Sequence, residues 1–157
     1  MNGRQDTNEL REELSLSKAA LYLLEECRMV LPGIQALFGF QLIVVFNPSF
    51  AQKLNPMEQR LHLVAIGLTA LAVAIIMTPA AYHRQAGSRE VTQRFVHLST
   101  RLLLWSMFPL ALSICLEFYL ISRVILDSSF VPLLTAALFA VFVALWFLLP
   151  RVWVVHK

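Results

Sequence analysis

Polar and apolar positions alternate along this chain in long blocks rather than at short period. Residues 29–52, 61–83 and 128–150 contain no Asp, Glu, Lys or Arg. Each run exceeds the roughly 20 mostly apolar residues that a helix needs to cross the hydrocarbon layer. A fourth run, 102–116, is shorter, and it continues past one acid, Glu117, to Ser122. The blocks predict four membrane spans at about 31–50, 60–82, 99–122 and 131–150. No run alternates with period two, and lipid leaves backbone groups unsatisfied, so the spans are helices rather than barrel strands.

The breaks between blocks carry their own signals. Asn47-Pro48 ends the first run, because a residue before proline is pushed out of helical geometry. Asn55-Pro56-Met57-Glu58 reads as a cap, a proline in the first turn and an acid at the third position. Ser88 is placed to cap the third helix, and Asp127-Ser128-Ser129 to cap the fourth, with Pro132 in its opening turn. Residues 1–30 form an amphipathic cytoplasmic or interfacial helix, with Leu10, Leu14, Leu21, Leu24 and Leu31 as its seam. The alternative is packing on a partner helix or a second copy of the chain. Residues 151–157 are a short tail.

Composition agrees with the pattern. Of 157 residues, 58% are hydrophobic and 15% charged, with mean hydropathy +0.66; soluble domains average about 45–50% and about 25%. That balance excludes a disordered chain and disfavours a water-soluble enzyme. The net charge of +3 matters less than its distribution. Arg4, Arg11, Lys18, Arg28, Arg84, Arg89, Arg94, Arg101, Arg151 and Lys157 flank one side of the spans; Lys53, Arg60 and Arg123 flank the other. The positive-inside bias puts both termini in the cytoplasm. These charges are collars around apolar spans, not a continuous basic face, so nucleic acid is not an expected partner. No cleavable signal is expected at the N-terminus.

Two groups of polar residues are candidates for chemistry. On the inner face, Glu26, Arg28, Gln35, Tyr82, His83, Arg84 and Arg101 form a polar cluster. It reads either as structural ion pairing or as a vestibule for an ion or ligand. In the third span, Ser99, Ser106, Ser113 and Glu117 fall within about 40° of one another on the helix surface. Such a stripe should face protein or water rather than lipid. Glu117 has His62 and Arg60 within reach at the start of span two, and Glu117 with His62 is the candidate outer proton or cation pair. A hydrogen-bonded structural carboxyl and a snorkelling one remain as alternatives. Gln41 is placed to meet Thr69 at mid-depth. Ala70, Ala74 and Thr78, with Ala136, Ala140 and Ala144, are small-residue ridges suited to helix packing. Pro109 should bend the third span.

No Walker loop, dinucleotide fingerprint, HExxH or CxxC is present. The four histidines include no i,i+4 pair, so neither a metal nor another cofactor is expected. Cys27 and Cys115 read as inert apolar-face thiols.

The motif residues Glu26-Cys27-Arg28, Leu31-Pro32-Gly33-Ile34-Gln35, Leu37-Phe38-Gly39-Phe40 and Pro79-Ala80-Ala81-Tyr82-His83-Arg84 resemble one bacterial family. It is an uncharacterised family of small four-span inner-membrane proteins with E-x-R-x-x-L-P-G-x-Q and Y-H-R motifs, over roughly residues 20–150 here. The resemblance implies a bacterial inner-membrane location and the same four-helix layout. It supplies no activity, although some members carry a sodium:proton antiporter label. By position, Glu26, Arg28, Pro32, Gly33, Gln35, Tyr82, His83 and Arg84 match the motifs, whereas Glu117 belongs to neither.

The sequence thus predicts an all-α, four-helix transmembrane bundle with the lipid bilayer as its first partner. The expected role is a non-enzymatic accessory or interaction subunit, working with further copies of itself or another membrane protein. The alternative is a small proton or cation transporter acting as an oligomer. In that case Glu26, Arg28, His83 and Arg84 form the inner gate.

Overall fold

The computed structural model describes residues 2–85, 93–126 and 128–151, with side chains from residue 16 onward. Every element among them is helical: α1 (Asn2–Val45), α2 (Pro48–Lys53), α3 (Pro56–Gln85), α4 (Gln93–Leu126) and α5 (Val131–Val143). A π-helical turn, Ala144–Leu148, carries α5 onward. Four stretches are long and apolar enough to cross a membrane: Leu16–Val45, Pro56–Gln85, Gln93–Leu126 and Val131–Arg151. The chain is a multi-pass helical membrane protein by this measure.

The helix limits differ from expectation at the start of the chain. Residues on both sides of position 30 belong to one helix, and Pro32 lies inside α1 without ending it. A helical proline removes one bond to the carbonyl four residues earlier; the flanking helix carries the direction through. The same helix stops at Val45 rather than continuing to residue 50. Phe46 N–H and Asn47 N–H close tight turns onto the Ile43 and Val44 carbonyls. Asn47 is extended, as a residue before proline should be, and its side chain accepts from Ser49 N–H to cap α2.

The second cap is reciprocal. Asn55 Oδ1 accepts from the Met57 and Glu58 amides at 3.0 and 2.9 Å, and Glu58 Oε2 accepts from Asn55 N–H at 2.9 Å. This capping box fixes where α3 begins. At α5 the expected side-chain cap is not formed: the capping position is Phe130. Ser128 instead serves the preceding turn, accepting from Phe130 N–H through its hydroxyl and from Val131 N–H through its carbonyl. Pro132 in the first turn has no N–H to satisfy, so less capping is needed. Ser88 and Asp127 lie outside the described residues.

The buried positions follow a seven-residue rule. On α1 they are Ala20, Cys27, Ile34 and Gln41; on α3, Glu58, His62, Ala65, Thr69, Ala72, Ile76 and Pro79; on α4, Ser99, Ser106, Ser113 and Leu120 among others. A 3.5-residue repeat is the signature of left-handed helix packing. Two expected seams therefore move. Leu21 is exposed and Leu24 and Leu31 are half-buried, so the buried positions of α1 are Ala20 and Cys27; the side chains of Leu10 and Leu14 lie outside the described residues. Ala70, Ala74 and Thr78 are exposed too, as are Ala136, Ala140 and Ala144. Lipid accepts leucine and alanine as readily as a protein core does, so neither apolar character nor small size alone decides which face turns inward.

The chain divides into two compact units. Unit 1 comprises Met1–Gln35 and Val73–Ser106, and in it Phe95 of α4 stacks on Tyr82 and packs against His83 of α3. Unit 2 comprises Ala36–Ala72 and Met107–Lys157. Here Phe108 meets Phe139 edge-on, and the polar side chains of α1, α3 and α4 converge.

Candidate functional site

The buried seam of unit 2 is polar. Ser113 of α4 is fully buried, and its hydroxyl donates to the Ala65 carbonyl of α3 at 2.8 Å. It lies 2.7 Å from Thr69 Oγ1 and accepts from Gln41 Nε2 at 3.0 Å. Three helices are thereby joined through one hydroxyl. Gln41 and Thr69, expected to meet directly, share Ser113 as intermediary. The same Gln41 amide donates to Glu117 Oε1 at 3.2 Å. Its own Oε1 is buried with no hydrogen-bond partner among the described residues.

One turn along α4 lies the ionisable pair. His62 Nδ1 is 2.9 Å from Glu117 Oε1 and 3.2 Å from Oε2. The opposite ring nitrogen, Nε2, is 2.9 Å from the Gln41 backbone carbonyl near the end of α1. That carbonyl can only accept, so Nε2 must carry a proton and donate. A second proton then lies between Nδ1 and the carboxyl. Either the imidazole is doubly protonated against a carboxylate, or a neutral carboxyl donates to Nδ1. The pair is neutral as a whole in both arrangements, which is how a low-dielectric site tolerates two ionisable groups.

Phe50 of α2 sits edge-on to the His62 ring, with centroids 5.1 Å apart. The pair borders a cavity of about 220 Å³ whose other walls include Lys53, Leu120 and Val124. Arg60, the other expected partner of Glu117, is exposed. The arginine that does pair is Arg123, 3.4 Å from Glu58 Oε1. Neither Glu58 nor Arg123 stood out as a pair in the sequence, since the box explains the acid locally.

The inner-face residues separate in unit 1. Arg28, Gln35, His83 and Arg84 share a cleft of about 430 Å³ between α1 and α3, with Leu24, Leu31 and Met77 among its apolar walls. Tyr82 turns to Phe95 instead. Glu26 and Arg101 are exposed and do not line the cleft. Ser99 and Ser106 are buried, and Ser106 bonds the Leu103 carbonyl of its own helix at 2.6 Å. Cys27 and Cys115 are free, buried thiols. Among the described residues no group of three or more His, Cys, Asp or Glu is arranged to hold a metal ion.

With four apolar helices and these two polar groups in place, comparison with known families is decisive at one level. Residues 11–150 match the model of a family of unknown function, DUF6328. The chain belongs to that family. No curated protein and no solved structure matches it. The stretch shared with the DUF6328 family contains both the His62–Glu117 pair and the Arg28–Arg84 cleft.

Proposed function

We propose that this protein is a non-enzymatic component of the bacterial inner membrane, with both termini cytoplasmic, that acts through its helix surfaces as an accessory or interaction subunit. The observation that supports this reading is that the unit 2 network ties α1, α3 and α4 to one another. Apart from Gln41 Oε1, the polar groups of Ser113, Thr69, Gln41, His62 and Glu117 bond one another and helix carbonyls. Groups occupied in holding helices together are unavailable to turn over a substrate. The α5 helix buries only Val131, which leaves most of its surface for lipid, a second copy or another membrane protein.

Reconstitution tests this reading. Purified protein in sealed liposomes should pass neither protons nor sodium above the empty-vesicle rate under an imposed gradient. A flux abolished by Glu117→Gln contradicts it.

One observation favours a second reading, a small proton or cation transporter working as an oligomer. The His62–Glu117 pair borders a cavity instead of being sealed on every side, and a histidine beside a carboxyl is a common proton-handling combination. That reading requires flux lost in both Glu117→Gln and His62→Ala.

A further inference from the structure

The unit 1 cleft differs from the unit 2 network in that, among the described residues, no acid answers its charges. Among the described residues its walls carry two guanidinium groups, Arg28 and Arg84, together with His83 and Gln35, and no Asp or Glu. Both ion pairs found among the described residues lie elsewhere, at His62–Glu117 and Arg123–Glu58. Glu25 and Glu26, the acids nearest Arg28 in sequence, lie outside the lining; Glu90, the acid nearest Arg84, lies outside the described residues, and Arg28, Gln35 and Arg84 are themselves exposed. Arg94 and Arg101 of the same unit are also exposed and outside it. Two cations brought to one concavity repel each other, and an anion held between them removes that cost.

The geometry of the walls narrows the anion. Positions 24, 28, 31 and 35 form one stripe of α1, and 77, 80 and 84 form the facing stripe of α3. Both stripes place apolar residues beside the arginines: Leu24 and Leu31 on one, Met77 and Ala80 on the other. The cleft is therefore cationic and greasy at once. Guanidinium forks match the oxygen spacing of phosphate and bind it in bidentate fashion. The Gln35 amide can add a donor. The volume, about 430 Å³, lies in the range of ordinary ligand sites. Basic pockets between membrane helices are suited to phospholipid head groups.

We propose that the α1–α3 cleft binds a phosphate-bearing anion held by Arg28 and Arg84, supplied either as the head group of an anionic phospholipid or as free phosphate. This inference is independent of the accessory-subunit reading, since it concerns unit 1 alone and requires no flux.

The test uses delipidated full-length protein in neutral detergent, titrated with phosphatidylglycerol, phosphatidylcholine and inorganic phosphate. Bound lipid is counted by native mass spectrometry, and affinity is followed by thermal shift. Saturable phosphatidylglycerol binding is expected, weakened roughly 10-fold or more in Arg28→Gln and in Arg84→Gln. Arg60→Gln, outside the cleft, should leave it unchanged. If inorganic phosphate displaces the lipid, phosphate alone satisfies the site; if it does not, the lipid is the source. Helical circular dichroism and elution volume check folding. Should a glutamine variant fail to fold, Arg28→Lys and Arg84→Lys keep the charge without the fork and should show a smaller loss. The proposal is overturned if neither anion binds saturably, if the cleft variants bind as the parent does, or if phosphatidylcholine binds equally well.

Discussion

His62 Nδ1 lies 2.9 Å from the Glu117 carboxylate while its Nε2 faces the Gln41 carbonyl at the same distance. The ring is thus held at both nitrogens, by α4 on one side and α1 on the other. Removing one member of a buried pair leaves the other without a partner, which typically costs about 3–5 kcal/mol. Truncation of His62 orphans both the carboxyl and the carbonyl.

His62→Ala should therefore destabilise the protein by about 3 kcal/mol, read from unfolding in detergent or bicelles. Glu117→Gln should cost much less. Its new amide can donate to Nδ1 and its oxygen can still accept from Gln41, so every bond has a replacement. Equal losses in the two variants would show that the proton arrangement described above is incorrect.

Ser113 and Ser106 provide an internal comparison seven residues apart on one helix. Ser113→Ala removes the hydroxyl that bonds Gln41, Thr69 and the Ala65 carbonyl, and a loss of about 1 kcal/mol is expected. Ser106 bonds only its own helix, a local bond with little effect on stability. Ser106→Ala should stay within about 0.5 kcal/mol of the parent.

The cap of α3 is a separate handle. Asn55→Ala removes the acceptor for two amides and should cost about 1 kcal/mol. Glu58→Gln keeps an oxygen for Asn55 N–H and loses only the pairing with Arg123, which is half-exposed. A change below about 0.5 kcal/mol is expected there.

Faces of α3 can be told apart by enlargement. Ala72→Leu puts three extra carbons into a fully buried position and should cost about 1–3 kcal/mol by overpacking. Ala70→Leu, exposed on the same helix, should be tolerated. The reverse ranking would place the small-residue ridge, and not the heptad seam, inside.

Much of this was legible in the sequence because membrane spans are written in absences of charge. The break at Asn47-Pro48 and the Asn55 cap were equally legible, since proline and asparagine act through their immediate neighbours; the short α2 that Asn47 caps was not anticipated. The inward faces were harder to read. In water Leu21 would mark a core, but beside lipid it marks nothing, and the buried row of Ala20, Cys27, Ile34 and Gln41 mixes small, apolar and polar residues. Its signal is the spacing of seven, repeated at His62, Thr69 and Ile76 and at Ser99, Ser106 and Ser113. Glu117 and His62 could be proposed as partners from depth alone. That Ser113 stands between Gln41 and Thr69 required knowing the rotation of each helix. The division of the inner-face residues, with Arg28 and Arg84 in a cleft and Glu26 outside, depends on the same rotations.

The claim beneath all of these is that the chain crosses the bilayer four times with its ends on the arginine-rich side. Single cysteines introduced by Asn8→Cys, Lys53→Cys, Ser88→Cys, Ser129→Cys and Lys157→Cys in a Cys27→Ser, Cys115→Ser background can be probed with a membrane-impermeant maleimide in intact cells. Labelling at positions 53 and 129 alone, with 8, 88 and 157 reacting only after permeabilisation, is the predicted result. Labelling of 8 or 157 from outside, or protection of 53 or 129, would contradict it.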